Sequence, residues 1–238
     1  MAVTGFLHHI GTFFLFAATI LILITTISAP VVNDIGLLKV TLGNATNSHY
    51  SEVSFGTFGY CVLNTANDNH DYCTQHHVGY DAADVMASID DTSFSDASRD
   101  TANGLTHVMV LHPIATGISF IAFLLALGAG FFGSFLAAIV AALAFIVTIV
   151  VMIIDFVLFG IIKDHVNSSS DDTSGSHAKF SVAMWTILAG AICLLIGAVI
   201  VFFTCCSARL HKRRANRSSV AAKSDYGTAT TSRRRRWF

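Results

Sequence analysis

The chain has 238 residues, of which 53% are hydrophobic and 12% are charged. A soluble globular domain usually carries about 25% charged residues, so the composition excludes an ordinary soluble domain. Asp, Glu, Lys and Arg are absent from residues 1–33, 101–154 and 180–208. Because a helix needs about 20 residues to cross the hydrocarbon core, these stretches predict a polytopic membrane protein.

The formal net charge of -1 hides two segments of opposite charge. Residues 31–112 contain ten acidic and two basic residues, whereas residues 209–238 contain ten basic residues and one acidic residue. Cytoplasmic flanks of membrane helices are enriched in Lys and Arg. We therefore expect the basic tail in the cytosol and the acidic segment outside the cell.

The first apolar stretch predicts a membrane anchor that Pro30 closes. A cleaved signal peptide is the alternative, because Ser28 and Ala29 are small residues. The stretch exceeds the roughly 7–15 apolar residues of a signal core, and no basic segment precedes it. Pro30 is also a poor residue to follow a cleavage site, so we favour the anchor.

The long apolar segment after His112 must fold back on itself. As one helix up to Lys163 it would be about twice as long as the bilayer is thick. Its weakest helical stretch is the cluster of glycines and a serine at 128–134, where we expect the reversal.

Four spans place both termini on the same side of the membrane, and the basic tail assigns that side to the cytosol. The expected fold is an all-α four-helix bundle with a small outer domain. The predicted segments are a cytosolic N-terminus at 1–5, transmembrane helix 1 at 6–30, extracellular loop 1 at 31–112, helix 2 at 113–131, a cytosolic turn at 132–134, helix 3 at 135–162, extracellular loop 2 at 163–179, helix 4 at 180–206 and a basic cytosolic tail at 207–238.

Small residues at helical spacing indicate where the helices approach closely. On helix 3 the expected contact stripe is Ser134, Ala138 and Ala142, and on helix 4 it is Ala189, Cys193 and Gly197.

The polar loops carry the expected covalent features. Cys61 and Cys73 are the two cysteines of loop 1, and on the oxidising side of a membrane they predict a disulfide. The sequons at Asn44 and Asn167 predict N-glycosylation, one in each outer loop. A third sequon at Asn216, in the cytosolic tail, shows that such triplets also arise by chance.

An aromatic and glycine-rich run precedes the first of these cysteines. It reads Phe55-Gly56-Thr57-Phe58-Gly59-Tyr60-Cys61. Alternation of aromatic and small residues around a disulfide favours one or two short β-strands, with the glycines allowing close backbone approach. The aromatic side chains either pack a small outer core, which we favour, or form a surface that binds a partner.

This run, followed by Cys73 and three further spans, resembles the fungal Sur/PalI family. The resemblance implies a claudin-like four-span protein of the plasma membrane. It also implies a non-enzymatic accessory protein that assists an ambient-pH sensor, upstream of proteolytic activation of a transcription factor at neutral to alkaline pH. The family alternative is an organiser of plasma-membrane microdomains, as in eisosomes, cell-wall integrity or cell contact. The structured outer motif implied by the resemblance comprises Phe55, Gly56, Phe58, Gly59, Tyr60, Cys61 and Cys73.

Asp155 is a carboxylate inside helix 3, where ionisable groups are costly and usually face the bundle or water. We favour a structural polar tie to a neighbouring span, with Thr186 as the expected partner. The alternative is a small transporter or channel, which is weakened because no second ionisable group is expected in any span.

Histidines are frequent in the predicted outer loop, and their titration near pH 6.5 raises the hypothesis of pH sensing. Solvated surface histidines are the simpler interpretation. Their spacing matches no established metal-ligand pattern, so neither a metal nor another cofactor is expected. The histidines are His49, His70, His76, His77, His107 and His112.

The cytosolic end combines cysteines with basic residues. Cys205 and Cys206 are candidates for S-palmitoylation, with buried thiols as the alternative. The basic tail is expected to lie against anionic lipids of the inner leaflet. Its basic residues are Lys212, Arg213, Arg214, Arg217, Arg233, Arg234, Arg235 and Arg236.

The expected partners are the lipid bilayer, another plasma-membrane protein such as a pH sensor or a microdomain component, and a second copy of the chain. Nucleic acid is not expected, because the basic run follows a membrane span. The sequence contains no pairing of acid and base or of nucleophile and base that would indicate catalysis.

Overall fold

The structure is a computed structural model that describes residues 2–43, 52–63, 71–90, 95–128, 131–169 and 175–231. It contains six α-helices, one short 3-10 turn and five β-strands within these residues. In chain order they are α1 (Ala2–Thr26), β1 (Leu38–Thr41), β2 (Glu52–Phe55), β3 (Tyr60–Leu63), β4 (Tyr72–Cys73), α2 (Ala82–Asp90), α3 (Asp96–His107), the 3-10 turn Val108–Val110, α4 (Leu111–Leu127), α5 (Phe131–Ser169), β5 (His177–Phe180) and α6 (Val182–Thr231).

Four helical segments of the described chain are long and apolar enough to cross a membrane. They are Phe6–Thr26, Asp96–Leu127, Gly133–Ser168 and Val182–Ser207. Their outward faces carry exposed Phe, Leu, Ile and Val side chains, as expected of surfaces in contact with lipid. The predicted four-helix bundle with a small disulfide-linked domain is confirmed.

The ends of the helices differ from the sequence-based boundaries. Helix α4 ends at Leu127, with Gly128 as its C-cap, and α5 begins at Phe131. The reversal therefore precedes the predicted turn at 132–134, which lies inside α5. The reason is local: the backbone leaves the helical path at Gly128, the first glycine of the cluster, and the residues from Phe131 onward resume it.

Glycines bring α1 and α6 close together. A Cβ atom added at Gly190 would lie 3.0 Å from Cγ1 of Ile22, and one at Gly197 would lie 2.9 Å from Cδ2 of Leu15. On α1, Gly11 packs as closely against the side chain of Val201. Small residues thus permit close packing where lipid supplies no hydrophobic drive for association.

The predicted small-residue stripes are only partly correct. Gly197 is buried as expected, but Ala189 and Cys193 are only half-buried. On α5, Ala142 is exposed, and the face that packs against the bundle contains Ala137, Ala138, Ala141 and Ala144. A small residue fits a close contact, but it fits equally well on a lipid-facing surface, so spacing alone does not identify the buried face.

The β-strands form one five-stranded antiparallel sheet with the order β4-β3-β2-β1-β5. Strands β1 to β4 come from the predicted first outer loop, whereas β5 comes from the second. Strand β5 pairs with β1, with Leu38 opposite Phe180 and Val40 opposite Ala178. The two loops thus build a single domain, which we call the cap: the sheet together with α2 and α3.

One face of the sheet packs on the bundle and forms the cap core. Val40, Val53 and Phe55 of this face are buried in one cluster with Leu158 and Ile162 of α5. With 39 residues, α5 is about 58 Å long, so it extends well beyond the roughly 30 Å hydrocarbon core and gives the sheet a helical support. The cap is therefore seated directly on the extended end of the bundle.

The predicted disulfide joins Cys61 and Cys73, which lie opposite each other on β3 and β4. It lies on the face of the sheet away from the bundle core, where Ala29 and Leu63 complete a small buried cluster. In the chain-entropy model, closing a loop of this length stabilises the folded state by about 3 kcal/mol. The bond thereby fixes the short edge strand β4 to the rest of the sheet.

Candidate functional site

A layer of polar side chains separates the cap core from the core of the helix bundle. His112, in the first turn of α4, follows Met109 of the cap core in the chain and precedes Ala115 of the bundle core. Along α5, Asp155 lies between Leu158 of the cap core and Ala144 of the bundle core. We call this layer the polar junction. It comprises Thr25, Thr26, Ser28, Thr57, His112, Thr116, Asp155 and Thr186.

Side-chain pairs in the polar junction connect neighbouring helices. The Oγ1 atoms of Thr25 on α1 and Thr186 on α6 are 2.9 Å apart. The Oγ1 atoms of Thr26 on α1 and Thr116 on α4 are also 2.9 Å apart. In an apolar environment an unpaired hydroxyl is costly, so these pairs favour one alignment of the helices along the membrane normal.

The third interhelical pair is ionisable. Nε2 of His112 on α4 lies 3.1 Å from Oδ2 of Asp155 on α5, and the two side chains are 1% and 0% exposed. The prediction that Thr186 is the partner of Asp155 is wrong, because Thr186 pairs with Thr25 instead. The sequence pattern places His112 in the outer loop, whereas the structure buries it in the bundle. The premise that Asp155 has no ionisable neighbour there is therefore wrong as well.

The two ends of this pair differ in how well they are hydrogen-bonded. Nδ1 of His112 lies 3.1 Å from the carbonyl oxygen of Met109, one turn earlier in the chain. Oδ1 of Asp155 is buried and has no hydrogen-bond partner among the described residues. Buried carboxylate oxygens are normally paired, so the half-used carboxylate marks this position as a candidate functional site rather than ordinary core.

The aromatic and glycine-rich motif forms the turn between β2 and β3 and docks on the end of α1. The backbone N–H of Thr57 donates to Oγ of Ser28 at 3.0 Å, and Oγ1 of Thr57 donates to the carbonyl oxygen of Thr25 at 2.9 Å. A Cβ atom on Gly56 would overlap the backbone of Ala29. The motif is therefore the element that attaches the sheet to the first helix.

The aromatic side chains of the motif pack mainly within the cap. Phe55 is fully buried and stacks on Tyr80, with ring centroids 6.4 Å apart and planes 8° from parallel. Phe58 and Tyr60 are half-buried. The hydroxyl of Tyr80 donates to the carbonyl oxygen of Gly56 at 2.8 Å. Burial raises the pKa of Tyr80, and the negative charge of Asp155 raises it further, which keeps this hydroxyl protonated as a donor.

The second glycine of the motif, Gly59, has a backbone conformation and close contacts that favour glycine. Its φ of 156° lies in the region that side chains rarely adopt, and a Cβ atom there would lie 3.2 Å from Cδ of Pro30. Immediately after it, the backbone N–H of Tyr60 donates to Oγ1 of Thr74 at 3.1 Å. The turn, the end of α1 and the segment after Cys73 thus meet at one point.

This arrangement can be compared with known proteins. The SUR7/PalI family model matches residues 7–214, which include the whole cap and, apart from Phe6, the four candidate spans. The chain belongs to the SUR7/PalI family.

Three relatives of this SUR7/PalI chain are fungal proteins named as pH-response regulators. The "pH-response regulator protein palI/prr-5" of Neurospora crassa is 30% identical over 219 residues, which are 89% of this chain and 26% of the relative. The "pH-response regulator protein palI/RIM9" of Pyricularia oryzae is 28% identical over 150 residues, 60% of this chain and 18% of the relative. That of Emericella nidulans is 29% identical over 118 residues, 50% of this chain and 18% of the relative. The chain thus spans about a quarter or less of the length of these relatives.

The predicted histidine set of this SUR7/PalI protein is not one site. His76, His77 and His107 are exposed, His112 is buried in the polar junction, and His49 lies, with His70, outside the described residues. Within the described part of the chain, no group of three or more His, Cys, Asp or Glu side chains could hold a metal ion. His112 lies against Asp155 in the core, and the sequence pattern does not distinguish it from the exposed histidines of the loop.

Asn167 has a structural role in addition to its sequon. Its Oδ1 accepts from the backbone N–H of Ala178 at 2.8 Å, and its Nδ2 donates to the carbonyl oxygen of Ala178 at 3.2 Å. The amide thus links the edge strand β5 to the end of α5 by two hydrogen bonds. The other predicted glycosylation site, Asn44, lies outside the described residues.

Replacing Asn167 with alanine is expected to loosen β5. The strand would lose both amide hydrogen bonds, a cost of about 1–3 kcal/mol, and hydrogen exchange of residues 177–180 would rise. Ser169→Ala destroys the same sequon and leaves the amide in place, so it serves as the matched control. Equal exchange in the two variants would contradict the structural role.

The cytosolic-end predictions lie at the limit of the described side chains. Cys205 is buried and Cys206 is half-buried where the last candidate span ends. The backbone of α6 continues as a helix through Lys212, Arg213, Arg214 and Arg217, whose side chains lie outside the described part of the structure. The terminal run at 233–236 also lies outside it, so palmitoylation and lipid contact by the tail stay predictions.

The threonines and the serine of the polar junction are hard to recognise from sequence. Threonine is common in membrane helices, where its hydroxyl bonds to a carbonyl four residues earlier, as Thr19 does to Leu15. The available signal is the position of Thr25, Thr26 and Ser28, just before the end of the first apolar stretch. Their partners cannot be identified without knowing which helices are neighbours.

Proposed function

We propose that this chain is a non-enzymatic plasma-membrane regulator of the PalI type that assists an ambient-pH sensor. The observation that carries the proposal is the family membership together with relatives named as pH-response regulators. In the proposed topology the cap is extracellular and both termini are cytosolic. The asymmetry between the acidic cap segment and the basic tail supports this orientation.

The geometry supports a role in binding and positioning another membrane protein. The cap is held on the bundle by the docked motif turn, the disulfide-linked sheet and the polar junction. Such a body presents one outer surface that is attached to its four helices. We propose that a pH sensor is the protein held by this surface or by the lipid-facing helices, with anionic inner-leaflet lipids attracting the tail.

A deletion strain of the source organism tests the function. Growth at alkaline pH is expected to fail, with the pathway's transcription factor left unprocessed, and the reintroduced full chain is expected to restore both. Normal alkaline growth of the deletion strain, with the protein in static cortical patches, would overturn the proposal and favour a microdomain organiser.

A further inference from the structure

We propose that His112 and Asp155 bind one proton between them, and that this shared proton holds α4 against α5. The loss of this proton at alkaline pH releases the contact. The proposal concerns a site inside the bundle, distinct from the exposed histidines of the cap. Its use in signalling rests on the proposed function, but the proton site itself does not.

The hydrogen-bond geometry fixes the number of protons. Nδ1 of His112 faces the carbonyl oxygen of Met109, which can only accept, so Nδ1 carries a hydrogen. Nε2 faces Oδ2 of Asp155 at 3.1 Å, and a hydrogen bond there requires one proton on either atom. The pair is therefore an imidazolium with a carboxylate or a neutral imidazole with a carboxylic acid. Both forms contain the same number of protons and have no net charge.

Removing the shared proton leaves a very different arrangement. Two acceptors, Nε2 of His112 and Oδ2 of Asp155, would then face each other, and the carboxylate would be a net negative charge in the core. Oδ1 of Asp155 has no described hydrogen-bond partner that could stabilise that charge. Burial of a charge without a partner is strongly unfavourable, so separation of the two helices or entry of water lowers the free energy.

The other groups around the pair do not neutralise this charge. Tyr80 is a titratable group of the cap core that lies close enough to Asp155 to interact with it electrostatically, and its hydroxyl already donates to the carbonyl oxygen of Gly56. At this level α1 and α6 contribute the hydroxyls of Thr25 and Thr186, and the motif turn contributes Thr57. Among the described side chains of α1 and α6 there is no Asp, Glu, Lys or Arg.

The sign of the effect follows from this proton count. The contact between Nε2 of His112 and Oδ2 of Asp155 needs the shared proton, so its stabilisation is present while the proton is bound and is lost when rising pH removes it. Met109 and Leu158, which flank the pair, belong to the cap core, so release of α4 from α5 also loosens the cap. Alkaline pH outside the cell would thereby change the surface offered to a partner protein.

Hydrogen exchange of the purified full chain in lipid nanodiscs tests the site. Between about pH 5 and pH 9, exchange of residues 105–116, corrected for its intrinsic pH dependence, is expected to rise at least about tenfold in the wild type. Asp155→Asn is expected to abolish this rise. Its amide N–H donates to Nε2 of a neutral His112, which keeps the hydrogen bond and removes the shared proton.

A variant lacking two exposed histidines of the cap is the matched control. His76→Gln with His77→Gln is expected to keep the wild-type pH dependence, because neither side chain is buried. Unchanged wild-type exchange across the pH range, or a rise that persists in Asp155→Asn, would overturn the proton site. These measurements use no signalling readout, so a deletion strain with normal alkaline growth would refute the proposed function without affecting them.

Discussion

The His112→Ala variant is expected to lose about 3–5 kcal/mol of unfolding free energy at neutral pH. The substitution removes the partner of a carboxylate that is 0% exposed and whose second oxygen has no partner among the described residues. Chemical unfolding in detergent micelles, followed by circular dichroism, measures the loss. Removing both partners avoids the uncompensated charge, so His112→Ala with Asp155→Ala is expected to be more stable than His112→Ala alone.

An exposed histidine provides the comparison for this variant. His76→Ala is expected to change the unfolding free energy by less than about 0.5 kcal/mol, since surface substitutions rarely do more. If the loss for His112→Ala were as small as that for His76→Ala, the pair would not hold the bundle together. The polar junction would then be a passive layer between two hydrophobic cores.

Replacing Gly56 with alanine is expected to destabilise the cap by about 3 kcal/mol. The added Cβ would overlap the backbone of Ala29, which unlike the tip of a side chain cannot rotate away. The motif turn must then lift from α1, and the hydrogen bonds from Thr57 to Ser28 and Thr25 are lost. Hydrogen exchange of residues 52–63 and the thermal unfolding midpoint measure the effect.

The same substitution at Gly104 is the control. Gly104 lies within α3, and apart from its chain neighbours and the nearby backbone of that helix no heavy atom lies within 4 Å of an added Cβ. Alanine there is expected to be neutral or to stabilise the helix by about 0.5–1 kcal/mol. A normal cap in Gly56→Ala would show that the close approach of Gly56 to Ala29 is unnecessary. The first glycine of the motif would then have no packing role against the segment that follows α1.

The sequence is sufficient for the elements that depend on local composition. Long uncharged stretches predict the four helices because lipid excludes charge. The cysteine pair predicts the disulfide, and the aromatic run before Cys61 indicates the family. These features need no knowledge of which segments are neighbours.

The sequence is insufficient where function depends on pairs that are distant along the chain. His112 stands at the border of the polar loop, and only the packing of α4 on α5 reveals that it is buried against Asp155. Strand β5 has only four residues and pairs with β1, about 140 residues earlier, so no local pattern could predict it. The threonine pairs of the junction likewise depend on helix order.

The position of β5 has a consequence for how the protein is made. The strand follows α5 in the chain, yet it completes the sheet whose other strands precede α4. While the first half of the chain is being inserted, β1 has an open edge with unpaired backbone groups. That edge can be covered only after α5 has been synthesised and has crossed the bilayer. A chain arrested before β5 would therefore keep the backbone groups along this edge of β1 unpaired.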